Sequence, residues 1–273
     1  MHPHLYPTSF LFFMIFILIH VPTSLCVDNE QYVNCSQLIQ CGNNITNIGY
    51  PFWGGNRPGY CGHPGYEISC QGDAPMLTIA PTTYRVLGIN NEARILSVAR
   101  EDFWNNNTCP QYLYNTTLNF TLFSYNTNTL NLTLYYNCPS LPNGTQTQMI
   151  PNLFECNPNG TATNSYYTTT TTTLNISLPG GISTGTCNNS LIVPVLQSAA
   201  LRLPSIALGD ALDGGFELQW TADNTSCAQC VESGGRCGSN SSSTGSFTCY
   251  CTDKPYEFVC NGAGGGGVKE NVS

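Results

Sequence analysis

Charge is what this sequence has least of. Only 9% of its 273 residues are Asp, Glu, Lys or Arg, and eight are basic. Those eight (Arg57, Arg85, Arg94, Arg100, Arg202, Arg236, Lys254 and Lys269) are scattered along a chain of net charge −8. Nucleic-acid binding needs a basic patch, so the scatter argues against it. No apolar run of ~20 residues follows residue 26, so no later membrane span is expected. His63 is the only histidine after His20. That scarcity works against serine–histidine chemistry and against His-ligated zinc. Helix signals are scarce too. Gln197 to Leu208 is the one stretch of helical composition, and Pro204 cuts it short.

Residues 1–26 carry no charged side chain. Phe10 to Val21 is apolar apart from His20, too short to span a bilayer and suited to a signal-peptide core. The expectation is a signal peptide over 1–26 and a secreted chain beginning near Val27. His2 and His4 stand where Lys or Arg is usual, which leaves a membrane anchor as the alternative.

Cysteine and N-linked sequons are plentiful. Loss of Cys26 from fifteen cysteines leaves an even set, which in an exported chain reads as a disulfide framework. Thirteen Asn-x-Ser/Thr sequons mark sites that must lie on the surface if glycosylated. Eleven are candidates: Asn44, Asn106, Asn115, Asn119, Asn131, Asn143, Asn159, Asn175, Asn188, Asn224 and Asn240. Asn34 adjoins Cys35, and Asn271 lies in the C-terminal tail.

The remaining pattern is strand. Tyr66–Cys70, Met76–Ile79, Tyr84–Ile89 and Ala93–Val98 are short β-branched or aromatic runs bounded by Gly, Pro or Asn. Leu118–Phe123, Leu130–Tyr135 and Leu191–Leu196 extend the set, and the first two alternate apolar with polar residues. Asn119 and Asn131 fall on the polar faces. Thr168–Thr173 reads either as strand or as a mobile O-glycosylated segment.

Residues Cys41 to Cys70 are dense in Gly, Pro and aromatics, and no helix can run through them. A loop with so little core must be held by cross-links. Its aromatics Tyr50, Phe52, Trp53, Tyr60 and Tyr66 are then candidates for a presented surface, with the structural alternative that Phe52 and Trp53 pack the loop.

Here the sequence resembles a known family. Cys41-Gly42, Ile48-Gly49-Tyr50-Pro51-Phe52 and Cys61-Gly62-His63-Pro64-Gly65-Tyr66-Glu67-Ile68-Ser69-Cys70 resemble the galacturonan-binding module of plant wall-associated receptor kinases. Gly215-Phe216-Glu217-Leu218-Gln219-Trp220 and Cys227 through Gly238 resemble the C-terminal module of the same kinases. The whole looks like the extracellular part of a leaf-rust-resistance-locus type receptor-like kinase. The last six cysteines resemble an EGF-like unit, which implies the pairs Cys227–Cys237, Cys230–Cys249 and Cys251–Cys260. The partners of Cys35, Cys41, Cys61, Cys70, Cys109, Cys138, Cys156 and Cys187 stay open.

The expected fold is therefore all-β, a disulfide-rich, glycosylated, two-module ectodomain. The first module covers 27–110 and the second 111–260, with the EGF-like cluster at 227–260. A Gly-rich linker follows at 261–273. The kinase Lys and the catalytic and metal-binding Asp motifs of the family's cytoplasmic part are not in this sequence. Gly262, Gly264 and Gly267 match a nucleotide-loop spacing, but too few residues follow for its helix. Gly181 to Gly185 matches a hydrolase elbow without a downstream His. Among the acids, Asp73, Glu101, Asp102, Asp210, Asp213 and Glu217 are the ones a glycosidase pair would draw on. Glu101 and Asp102 read as solvated, and Asp210 and Asp213 as turn formers.

The expected function is non-enzymatic carbohydrate binding outside the cell, without a cofactor, and the resemblance implies pectic polysaccharide as the ligand. The ligand residues would be Tyr50, Phe52, Trp53, Tyr60 and Tyr66, with Arg57 meeting a uronate carboxylate. Net charge −8 opposes a polyanion, so a local Arg57–Arg85–Arg94 surface, a bridging calcium ion or an esterified polymer would be needed. The alternatives are a module that binds a protein co-receptor or peptide, and a wall hydrolase.

Overall fold

The computed structural model describes residues 28–42, 45–139, 152–156, 163–169, 177–178, 182–183, 187–203, 205–240 and 245–261. Strands dominate. A six-stranded sheet has the order Ile68–Gln71, Ala74–Ile79, Thr82–Asn90, Ile95–Arg100, Phe216–Trp220, Phe123–Tyr125, antiparallel throughout. Tyr84, Val86, Leu96 and Val98 alternate onto its buried face, as the period-2 pattern requires. Gly72, at φ +59°, takes the first central position of the two-residue turn between Gln71 and Ala74.

This sheet does not respect a boundary at residue 110. Four strands come from before it and two, Phe123–Tyr125 and Phe216–Trp220, from after it. One apolar core results, in which Phe52, Tyr66, Leu77, Tyr84, Val98, Phe216 and Trp220 pack together.

A second antiparallel sheet orders Asn189–Leu196, Thr129–Cys138, Thr163–Thr169 and Leu153–Cys156. Leu132, Leu134, Leu191, Val193 and Val195 form its core with Phe103 and Leu212. Pro194 lies on an edge strand, where its missing N–H is tolerated. The disulfides Cys109–Cys156 and Cys138–Cys187 tie this sheet to the chain around it.

The third unit is small. Helix Asn224–Glu232 packs on strands Arg236–Ser239 and Phe247–Tyr250, and Pro255–Tyr256 completes their three-stranded sheet. The bonds Cys227–Cys237, Cys230–Cys249 and Cys251–Cys260 form its centre. Gly235 is required there, because a Cβ would collide with the sulfur of Cys249.

The structure departs from the sequence expectations in several places. Helices occur at Glu30–Ser36, Gln197–Ala200, Leu208–Asp213 and Asn224–Glu232, not in one stretch alone. Asp210 and Asp213 thus sit on a helix rather than in a turn. Asp223 caps the last of the four, its carboxylate accepting from the Ser226 N–H at 3.0 Å. Of Leu118–Phe123 only Phe123 is in a strand, because residues 118–122 turn back on Asn119. Thr168 and Thr169 are in a strand, and residues 170–173 lie outside the described residues.

Asn106, Asn115, Asn119, Asn131, Asn188 and Asn240 are exposed, and Asn224 is half-buried. Asn44, Asn143, Asn159 and Asn175 lie outside the described residues. Among the described residues no helix is long and apolar enough to cross a membrane.

Candidate functional site

The bonds Cys35–Cys61 and Cys41–Cys70 clamp the aromatic loop. Clamping turns its side chains inward. Phe52 is 0% exposed and meets Tyr66 and Trp220 edge-on at 5.6 and 5.2 Å. Tyr66 is also 0% exposed, and its one hydroxyl proton is shared between the carbonyls of Leu122 and Thr221. Burial pushes that hydroxyl well above its ordinary pKa. Phe52 and Tyr66 are core residues and cannot present rings to a polymer.

Arg57 corrects the expectation most sharply. It is 3% exposed, and its guanidinium donates to four backbone carbonyls. These are Phe52 at 3.2 Å, Cys35 at 2.6 Å, Gln37 at 2.5 Å and Cys61 at 2.7 Å. Burial pulls its pKa down to about 10, so it stays charged at neutral pH. Four of its five N–H donors are used, and burial keeps the fifth from a uronate. Arg85 is bound bidentately to Glu101, with both contacts at 2.9 Å. The Arg57–Arg85–Arg94 surface therefore does not form, since two of its three cations are engaged.

The other loop aromatics are half-buried joints. Tyr50 meets Phe247 edge-on at 5.9 Å, and burial, then Asp223, raises its hydroxyl pKa. Tyr60 packs on Tyr250 at 5.7 Å, and its hydroxyl accepts from Asn34 Nδ2 at 2.6 Å. Trp53 donates its indole N–H to the His63 carbonyl at 3.0 Å. His63 turns its own ring to the Pro64 carbonyl and serves as a turn residue. The loop is thus a hub between the six-stranded sheet and the small C-terminal unit.

An open cleft lies elsewhere. It has a volume of about 480 Å³, within the ~300–1,000 Å³ usual for ligand sites. Pro81, Thr83, Asn107, Gln111, Tyr112 and Tyr114 are among its walls, with Arg100, Glu101 and Asp102. Tyr112 and Tyr114 stack with ring centroids 5.8 Å apart and planes 15° apart. They are 58% and 44% exposed, unusual for large aromatics in a folded chain.

Buried Arg100 builds one wall. It donates to both oxygens of Asp102 at 3.0 and 2.7 Å, to the Tyr114 carbonyl at 2.8 Å and to Thr116 Oγ1 at 3.1 Å. Its guanidinium also lies over the Phe103 ring. Arg85 lies over Trp104 at 4.7 Å while holding Glu101. Glu101 and Asp102 are thus ion-paired and only part-exposed, not freely solvated.

Tyr112 and Tyr114 were missed in the sequence. The available signal was an aromatic pair at i and i+2, flanked by Gln111 and the Asn115 sequon.

Other clusters are structural. Glu217 accepts from the side-chain amides of Asn126 and Asn128, and Asp213 accepts from the Asn106 N–H. The sulfurs of Cys249, Cys251 and Cys260 lie within 4.8 Å of one another, but each is in a disulfide and offers no thiolate.

Two family models match parts of the chain. "Wall-associated receptor kinase galacturonan-binding" matches residues 35–100. "Wall-associated receptor kinase C-terminal" matches residues 155–254. The two matched stretches are thus modules of the wall-associated receptor kinase type. Similar curated relatives include the leaf rust 10 disease-resistance locus receptor-like protein kinase-like 2.1 of Arabidopsis thaliana, 32% identical over 95% of this chain. The 2.5 protein of the same series is 29% identical over 90% of this chain, and the 2.4 protein 31% over 84%. The chain spans only 40%, 38% and 34% of those three relatives. No solved structure matches it.

Proposed function

We propose that this chain is an extracellular, non-enzymatic receptor-type module that binds pectic polysaccharide of the plant wall. The observation that carries the reading is the galacturonan-binding match over 35–100, the part of the chain that supplies four of the six sheet strands. The exposed tyrosine cleft beside that sheet supports it, because flat rings suit sugar faces. Glu101 and Asp102 do not suggest a glycosidase, since every carboxylate oxygen already accepts from an arginine.

A glycan array on the mature protein tests the reading, followed by calorimetry with oligogalacturonides at several degrees of methyl esterification. Saturable binding to some pectic oligomer is expected. No binding to any of them would remove the polysaccharide reading and favour a protein partner.

A further inference from the structure

We infer that the Tyr112–Tyr114 cleft is the saccharide site and that it selects uncharged sugar units, esterified uronate or neutral hexose, over free uronate. The inference rests on the polysaccharide reading above and adds its place and its chemical class.

Place follows from exposure. The loop aromatics are buried or joined edge-on to other rings. Tyr112 and Tyr114 instead lie largely open beside a concave surface. Gln111 stands exposed at the same wall with both amide functions able to meet sugar hydroxyls. The segment is held from behind: the Tyr114 carbonyl and Thr116 hydroxyl both accept from buried Arg100. A platform fixed before binding loses little entropy on binding.

Class follows from charge. Among the described residues of the cleft wall Arg100 is the only cation, and four of its five N–H donors go to Asp102, Tyr114 and Thr116. Arg85, behind Glu101, is held by that carboxylate. An incoming uronate would therefore lie beside two closed ion pairs and find no cation left to pair with its own charge. An ester or a hydroxyl needs no such partner. Net charge −8 adds to the effect at long range.

The experiment is calorimetry on the intact, glycosylated chain with galacturonan oligomers of equal length, one fully methyl-esterified and one de-esterified. The esterified oligomer should bind at least about tenfold more tightly. The de-esterified one should gain affinity as salt rises, because screening relieves repulsion. Tyr112→Ala should weaken the esterified oligomer by roughly tenfold or more, by analogy with base stacking on aromatic residues. Its circular dichroism should stay that of wild type, and Tyr112→Phe should keep affinity within about threefold, since the ring is retained.

Preference for the free acid, or wild-type affinity in folded Tyr112→Ala, would overturn the cleft while leaving the polysaccharide reading intact. Binding seen only after N-glycans are removed would also overturn it, because the cleft would then seat the chain's own glycan. Failure of wild type to bind any pectic oligomer, with or without glycans, removes both readings.

Discussion

Ser239 Oγ donates to the Gly62 carbonyl at 2.6 Å, joining two residues 177 apart in sequence. The contact is buried and fastens the C-terminal strand Arg236–Ser239 to the aromatic loop. Tyr250 seals it, its hydroxyl donating to the Ser239 carbonyl at 2.8 Å while its ring packs on Tyr60. Gly238 permits the approach, since a Cβ there would strike the Tyr60 carbonyl. The small disulfide unit is thus docked on the aromatic loop.

Ser239→Ala would strand the buried Gly62 carbonyl. The expected loss is about 1–3 kcal/mol of stability, the usual effect of an orphaned buried acceptor. Denaturant unfolding of both proteins measures it, and an unchanged midpoint would show that docking does not depend on this bond.

Strand faces were legible in the sequence, and strand neighbours were not. Tyr84–Ile89 and Leu130–Tyr135 alternate because each has one face on a core. Alternation says nothing about partners, so Phe216–Trp220 inserting between Ile95–Arg100 and Phe123–Tyr125 could not be read. The loop aromatics misled for a physical reason. Gly-rich composition signals exposure, but two disulfides fold this loop over the sheet and bury Phe52 and Tyr66. Asp223 and Ser226 did carry a capping signal for the helix Asn224–Glu232, which the cysteine spacing obscured. Tyr112 and Tyr114 lie in a segment without regular structure, where no periodicity separates an exposed ring from a packed one.

Arg57→Lys tests whether the cation is scaffold or ligand contact. An ammonium has three donors on a single point and cannot reproduce a fork that serves four carbonyls. A loss of about 2–5 kcal/mol is expected from the carbonyls left without donors. Affinity per folded molecule should not change. A stable Arg57→Lys protein with weakened de-esterified pectin binding would return Arg57 to the ligand surface.

Alkali should unfold the protein together with tyrosine ionisation. Burial pushes Tyr84 and Tyr250 up to about 12 from the ordinary value of 10.0, and Tyr50, Tyr66 and Tyr136 rise as well. Above pH ~10 the unfolded chain releases these protons while the folded chain keeps them, so stability falls as pH rises. The stabilisation is full below pH ~10 and is lost as pH climbs through the folded-state values. Tyrosinate absorbance and circular dichroism should share a steep step in that range. Gradual titration of all tyrosines with native dichroism retained would contradict the burial.

Reduction should be destructive. Fourteen cysteines form seven disulfides, three of them within residues 227–260. A unit that small has too little apolar core to persist without them, and each typically contributes about 2–5 kcal/mol. Denatured, unreduced mature protein should show no reactive thiol, and two or more labelled cysteines would break the framework. Dithiothreitol should abolish the near-ultraviolet dichroism of the Tyr60–Tyr250 contact.

Trp53→Ala and Tyr112→Ala should fail in opposite ways. The Trp53 indole is half-buried, bonded to the His63 carbonyl and laid against Gly59, where an added Cβ would touch it at 3.7 Å. Its removal opens the hub on which Ser239 and Tyr60 converge. We expect a loss of about 2–4 kcal/mol, somewhat below that of a fully buried ring, with reduced secretion and unchanged affinity in the protein that folds. Tyr112 is mostly exposed, so its loss should leave stability within about 0.5 kcal/mol while affinity falls. Unfolding and calorimetry on the same preparations separate the two. If Trp53→Ala unfolds like wild type and loses pectin binding while Tyr112→Ala keeps it, the aromatic loop is the ligand surface and the cleft is not.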